Sequence, residues 1–458
     1  MRRRENERTD GRYRRRFLQL LGGLGVTGLA GCGDDGNGTA TEEPTDTTGS
    51  ETQTASATPT ATPTPTPREP QFVSLLEAET LEDSDWHQIN GTAAYEVREG
   101  GVIAGISDSS SPNSFLSTYK VYDEFVLTFE AWVDPDGLNS GIQIRSNTSQ
   151  DHQRVHGPQV ELELTGELTG DTQPQIAPGQ SGYVYGEALG TGWLSGEGGE
   201  PPGHQVFNNG EWNEFRIRAE DDHLQTWVND EQIGDLDLSQ FADVEDLLPM
   251  GIIALQVHSI GADGREVRWR NIRIKELDVQ EWTRPFNGQN TDGWTNPLET
   301  GDASVTDGEL HLSGDDSFFL LSEESYDDFV FETWVNAETK GGVMVRNPGG
   351  NRVAGYRAEI DPTDDDLSGS LYDVGDQAWL KSTEGENHAQ MAYKPGRWNY
   401  YRVAAAGDTI RVWVNGITTA NVTDDAESSG GIGLQHRGGD GTIRFRDLEV
   451  KPLDPDAL

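Results

Sequence analysis

Gln159-Val160-Glu161-Leu162-Glu163 places a polar side chain at every second position. Successive side chains of a β-strand point to opposite faces. An extended conformation therefore lines up Gln159, Glu161 and Glu163 on one side and Val160 and Leu162 on the other. With the apolar side packed into a core, two carboxylates and an amide stand together on the outer surface, a set able to bind hydroxyls and to move protons. A solvated face of an acidic protein has the same pattern, so the neighbours matter. Arg145 ends the nearby segment Gly141-Ile142-Gln143-Ile144-Arg145, and His258 follows Ala254-Leu255-Gln256-Val257. Histidine is scarce, with nine in the chain, and its ordinary pKa suits proton transfer near neutrality. No complete metal-ligand motif accompanies these residues, although the acidic loops leave Ca²⁺ open as a structural ion.

The elements that must position these groups occur twice. Glu211-Trp212-Asn213-Glu214-Phe215-Arg216-Ile217-Arg218, followed by Thr226-Trp227-Val228-Asn229, returns as Arg397-Trp398-Asn399-Tyr400-Tyr401-Arg402-Val403, followed by Val412-Trp413-Val414-Asn415, with both tryptophans displaced by 186 positions. Phe125 to Val133 answers to Phe329 to Val335, and Ile253-Ala254-Leu255-Gln256 to Ile432-Gly433-Leu434-Gln435. A period this long means tandem globular domains rather than a solenoid. Within each copy the segments are short, alternating and rich in β-branched and aromatic residues, with Gly, Asn and Asp between them. Val414-Asn415-Gly416-Ile417 carries the Asn-Gly signal of a tight hairpin, and Val228-Asn229-Asp230 is its counterpart. The expected class is all-β: two tandem jelly-roll β-sandwiches over 71–278 and 279–458.

Several motifs in this order resemble the 3-keto-disaccharide hydrolase domain family. They are Phe286-Asn287-Gly288-Gln289-Asn290-Thr291-Asp292-Gly293-Trp294, Asn139 to Arg145, Gly157 to Glu163, Gly182-Tyr183-Val184-Tyr185-Gly186, the Trp-Asn and Trp-Val-Asn strands, and Arg270 to Leu277. The resemblance covers nearly everything after residue 71 in both copies. It implies a concanavalin-like jelly roll, of the kind built by lectins and endoglucanases, whose concave face meets sugar. It also implies chemistry on glycosides already oxidised at C3. The ketone acidifies the C2 proton, a base removes it while the C1 substituent leaves, and water adds to the resulting enone. Such a site needs a base, an acid for the departing oxygen and a donor facing the enolate oxygen.

The matched catalytic positions are Arg145, Glu161, Tyr185 and His258. On this resemblance His258 or Glu161 could be the base, Glu163 or Glu187 the acid, and Arg145 or Tyr185 the enolate donor. Gln159, Glu163, Glu187 and Trp193 are the expected substrate contacts. The first copy has an extra loop, Glu187 to Gly210, whose Trp193 and His204 could wall a sugar pocket. The second copy departs from the pattern: Tyr356-Arg357-Ala358-Glu359-Ile360-Asp361 puts Arg357 in the place of Gln159, and Arg437 stands at the site of His258. Two functions remain open, a lyase or hydrolase of 3-keto-glycosides and a non-catalytic sugar-binding lipoprotein. The expected partner is accordingly an oligosaccharide or a 3-keto-glycoside.

Arg14-Arg15-Arg16, the apolar stretch from Phe17 to Ala30 and Leu29-Ala30-Gly31-Cys32 have the layout of a twin-arginine lipoprotein signal over residues 1–31. Cys32 is the expected lipidation site and, as the only cysteine, leaves no disulfide within the chain. Residues 32–70 are a Thr/Pro-rich stalk with almost nothing apolar to bury. Asn37, Asn90, Asn147 and Asn421 begin N-glycosylation sequons. The expected location is the extracellular face of the cytoplasmic membrane. The formal charge is −45, and removing residues 1–31, with eight arginines against three acids, takes it to about −50. Such a body is not drawn to nucleic acid, and its membrane contact would come through the lipid anchor alone. Carboxylates spread over both domains, with Arg far outnumbering Lys, point to solvation at high salt and a halophilic, archaeal source.

Overall fold

Phe125–Val133 shows how alternation builds the sandwich. Phe125, Leu127, Phe129, Ala131 and Val133 are buried, while Thr128, Glu130 and Trp132 between them are only partly covered. This strand lies at the centre of an antiparallel sheet ordered Glu231–Asp237, His223–Val228, Asn213–Glu220, Phe125–Val133, Glu266–Glu276, Val102–Ile106 and Ala94–Arg98, with Val73–Ser74 added to Glu266–Glu276. The second sheet runs Gly192–Trp193, Val184–Glu187, Gly157–Leu162, Ser140–Ser146, Ile252–Val257, Ser114–Thr118 and Trp86–Asn90. Ile142, Ile144, Val160, Leu162, Ile253 and Leu255 from this sheet share one core with Leu127, Phe129, Phe215 and Trp269 of the first. Burying both inner faces is what stabilises such a pair of sheets.

In this computed structural model the described residues are 69–458, apart from 137, 152, 171–172, 178, 197–198, 245, 350–352 and 364–366. The expected signal segment, Cys32, the Asn37 sequon and nearly all of the stalk lie outside them. The second half of the chain repeats the architecture. One sheet is ordered Asp302–Thr306, Glu309–Ser313, Thr442–Pro452, Phe329–Ala337, Asn399–Ala406, Thr409–Val414 and Ile417–Thr423. The other is ordered Trp294–Thr295, Ser317–Ser322, Gly431–Arg437, Gly341–Asn347, Tyr356–Ile360, Leu371–Asp373 and Ala378–Lys381. Both halves are concanavalin-like jelly-roll sandwiches, as the alternation and the repeat predict.

The repeated Trp-Asn and Trp-Val-Asn motifs clamp loops to the sheets. Asn399 Oδ1 accepts from Lys394 N at 2.6 Å and from Asn415 Nδ2 at 2.8 Å. In the first copy Asn213 Oδ1 accepts from Asn208 N at 2.7 Å and Asn229 Nδ2 at 2.8 Å. Asn415 and Gly416 have φ of +46° and +78°, and Asn229 and Asp230 +46° and +68°. Both hairpins thus take the turn that matches strand twist. Gly416 is needed twice over, since a Cβ there would lie 2.6 Å from Ile252 Cγ2 in the other domain.

That contact belongs to a broad domain–domain interface. Phe115, Tyr119, Val121, Val155, Met250, Ile252 and Ala254 of the first domain join the apolar core cluster of the second. Polar groups stitch the same seam. Trp413 Nε1 donates to Asn147 Oδ1 at 3.0 Å, Thr148 Oγ1 meets His388 Nε2 at 2.8 Å, and Thr418 N donates to Thr148 O at 2.9 Å. At its centre Asp123 pairs with Arg402 Nη2 at 2.5 Å and Lys451 Nζ at 2.6 Å, and Lys451 also reaches Asp278 at 2.7 Å. Burial alone would raise the Asp123 carboxyl, but the two cations overcome it and hold it below its ordinary value.

Candidate functional site

Strand register collects most of the expected groups on the outer face of the first domain's second sheet. Tyr185 pairs with Trp193 and with Gln159, Gln159 with Gln143, and Gln143 with Ala254, forming one row across the strands. In the next row Glu161 pairs with Gly141. Val160 and Leu162 point into the core, as the alternation requires. The polar residues are not a solvated surface, however. Gln143, Gln159, Glu161 and Gln256 are all buried, and they form one hydrogen-bonded network. Gln159 Oε1 accepts from Gln143 Nε2 at 2.6 Å and from Gln256 Nε2 at 2.8 Å, while Gln159 Nε2 donates to Glu161 Oε1 at 2.7 Å. Gly141 makes room for this, because a Cβ there would sit 2.6 Å from the Gln159 side chain.

Burial pushes the Glu161 carboxyl up to about 8. Hydrogen bonds from Gln159 and Asn139 oppose the rise, and the charges of Glu163 and Glu187 add to it. A carboxyl tuned to that range can take or give a proton near neutrality. Gln256 Oε1 is buried without a hydrogen-bond partner, an acceptor that a ligand hydroxyl would satisfy. Tyr185 and Trp193 meet edge to face with centroids 5.4 Å apart, presenting rings beside the carboxyl.

The remaining expected residues lie as follows. Arg145, at φ +44°, is spent on backbone, with Nε donating to Asp123 O and Nη1 to Asp221 O, both at 2.6 Å. Arg346 repeats that conformation at φ +54° and that role, donating to Asp327 O and Glu427 O. Arg145 therefore ties loops at the strand end and borders an interdomain cavity of about 590 Å³. It is not brought together with Glu161. Glu163 lies just beyond its strand, and its Oε2 accepts from Gln180 N at 2.8 Å. Glu187 is buried in an ion pair with Arg154. His204 is held at Ser181 O, 2.5 Å from Nε2, and accepts from Val206 N, fixing the extra loop rather than lining the row. His258 follows the Ile252–Val257 strand, partly exposed, with Nδ1 on Ser259 O at 2.9 Å.

Gln143, Gln256 and Asn139 are site residues that motif reading passed over. Their signal is strand pairing, which brings distant segments side by side. Among the described residues no cluster of three or more His, Cys, Asp or Glu is placed to hold a metal ion.

The paired sheets and this amide–carboxyl–aromatic face define a concanavalin-like jelly-roll domain of the carbohydrate-active kind, present in two copies. The chain belongs to the family of 3-keto-alpha-glucoside-1,2-lyase-like domains, which matches residues 71–275 and 281–451. Solved structures similar to it include carbohydrate-binding module CBM66 from Bacillus subtilis, at 20% identity over 35% of this chain and 95% of that one, with a TM-score of 0.29. A candidate glycosyl hydrolase of Parabacteroides distasonis matches at 21% identity over 38% and 99%, TM-score 0.29. The Bacillus licheniformis β-glucanase matches at 13% over 38% and 97%, TM-score 0.28. No curated protein matches the chain.

Proposed function

We propose that domain 1 is a lyase or hydrolase that cleaves 3-keto-glycosides by elimination and hydration. The observation that carries this reading is Glu161, a buried carboxyl pushed up to about 8 beside an aromatic pair and an unsatisfied amide oxygen. Glu161 removes the C2 proton, whose electron pair passes to the C3 carbonyl as an enolate; collapse of the enolate restores the ketone and forms the C1–C2 double bond as the C1–O bond breaks. The Tyr185 hydroxyl donates to the enolate oxygen, and His258, just past the end of the Ile252–Val257 strand, gives a proton to the departing oxygen. Water then adds at C1, giving its proton to His258 while Glu161 returns a proton to C2, so the net change is hydrolysis with no redox step. Incubating the full chain with 3-keto-glucosides and 3-keto-disaccharides in multimolar KCl should release the C1 substituent. Saccharide binding with no release would favour the second reading, a binding lipoprotein, for which the Gln143–Gln159–Gln256 amide network is the supporting feature.

We also propose that the protein is exported by the twin-arginine route and lipid-anchored through Cys32 at the outer face of the cytoplasmic membrane. The paired arginines and the Leu-Ala-Gly-Cys sequence support this. Cys32→Ser is expected to move the protein from the membrane fraction to the medium, and unchanged retention would sink the anchoring claim.

A further inference from the structure

Domain 2 carries the same face with different chemistry. Trp379 pairs with Tyr372, Tyr372 with Arg357, and Arg357 with Met344. One row along, Glu359 pairs with Gly342, and Gly342 with Gln435. This register repeats Trp193, Tyr185, Gln159 and Gln143, and then Glu161 with Gly141. The packing repeats as well, since a Cβ on Gly342 would lie 2.5 Å from the Arg357 side chain. Tyr372 and Trp379 meet edge to face with centroids 5.0 Å apart, as Tyr185 and Trp193 do. An aromatic pair beside a carboxyl is thus present in both copies. Trp379 is 43% exposed, so packing alone does not account for its place on the sheet edge.

The carboxyl itself is in a different state of use. Arg357 holds Glu359 Oε2 through Nε at 3.1 Å and Nη2 at 2.8 Å, while Arg437 Nη1 holds Oε1 at 2.5 Å. Arg357 Nη1 also donates to Gln435 Oε1 at 2.9 Å, and its guanidinium lies 4.7 Å from the Tyr372 ring centroid. Both oxygens of Glu359 thus carry guanidinium donors. Arg437, with its side chain 42% exposed, leaves the rest of its guanidinium to solvent. Lys340 pairs with Asp361 at 2.9 Å on the same rim. Among the described residues of this row two guanidiniums, Arg357 and Arg437, share the single carboxylate of Glu359.

We propose that this face is a second, non-catalytic saccharide site, in which the exposed Trp379 stacks the ring of a sugar, Tyr372 borders it edge-on and Arg437 pairs with the carboxylate of a uronate-type residue. It rests on reading these faces as saccharide faces, not on the lyase chemistry of domain 1. Stacking on an aromatic ring suits the apolar face of a pyranose, and a planar guanidinium suits a carboxylate. The acidic body repels anions at long range. At about 1 M salt the screening length is roughly 3 Å, which removes that repulsion while contact pairing persists.

The test is calorimetric titration of the full chain in about 1 M KCl with tetragalacturonate and, as the neutral probe, cellotetraose. The acidic tetramer is expected to bind more tightly. Trp379→Ala should weaken it about tenfold or more, and Arg437→Gln should abolish the preference for the acidic probe. Melting curves of both variants check that they fold. Equal or tighter binding of the neutral tetramer, no effect of Trp379→Ala, or no binding of either probe would overturn the proposal. Neither probe carries a 3-keto group, so this failure and a failure of 3-keto-glycoside turnover are separate results.

Discussion

Glu161→Gln is expected to lower turnover of a 3-keto-glycoside by about 10²- to 10⁴-fold, the usual cost of removing a proton-transfer group. The fold should survive, because glutamine resembles the neutral carboxyl and its carbonyl can still accept from Gln159 Nε2, now 2.7 Å from Glu161 Oε1. The pH dependence follows from burial raising Glu161 to about 8. As the base it must be ionised, so kcat/KM should rise with pH and level off above about 8, and that limb should vanish in the variant. For stability the sign is opposite. A carboxyl raised above its ordinary value of 4.5 contributes stability that is present below that value and lost as pH rises through about 8. Melting curves at pH 9 should therefore favour Glu161→Gln over the wild type. Equal rates in variant and wild type would return Glu161 to a packing role.

Asp123→Ala should destabilise the chain by about 3–5 kcal/mol, the cost of leaving buried charges without their partner. Arg402 and Lys451 both lose their shared carboxylate, and Lys451 keeps only Asp278. Chemical denaturation read by tryptophan fluorescence measures this, and a loss below 1 kcal/mol would remove Asp123 from the centre of the seam. The linkage is of the depressed kind. The contribution is present above the ordinary value of 3.8 and is lost as pH falls through the lower folded value. Wild-type stability should thus drop below about pH 4, with a shallower drop in Asp123→Ala.

The sandwich was legible because its signal is local. Alternation in Phe125–Val133 and the Asn415-Gly416 turn each depend on a few adjacent residues, and the repeat supplied the domain count. The carboxyl face was legible in its direction, since Gln159 and Glu161 do oppose Val160 and Leu162. It was not legible in its burial, because that depends on Gln143 and Gln256 closing over Gln159 from other strands. Arg145 looked available for the same reason, since nothing near it in sequence announces the carbonyls of Asp123 and Asp221. The Tyr372–Trp379 pair escaped motif comparison because the two copies differ in loop length: Tyr185 and Trp193 are joined by a longer turn. The match lies in register rather than in spacing. The domain seam was invisible for the same physical reason, as every contact in it joins residues far apart in the chain.

Arg216 and Arg402 are the same position in the two copies, yet Arg216 lies over Trp227 at 4.0 Å on an open sheet face and Arg402 is buried against Asp123. The duplicated halves have therefore stopped being interchangeable parts. In a chain built of two first halves, the second Arg216 would have to leave its seat over Trp227 and take up the burial that Arg402 has against Asp123. Recombination at the midpoint is therefore expected to cost more stability than an exchange of loops away from the seam.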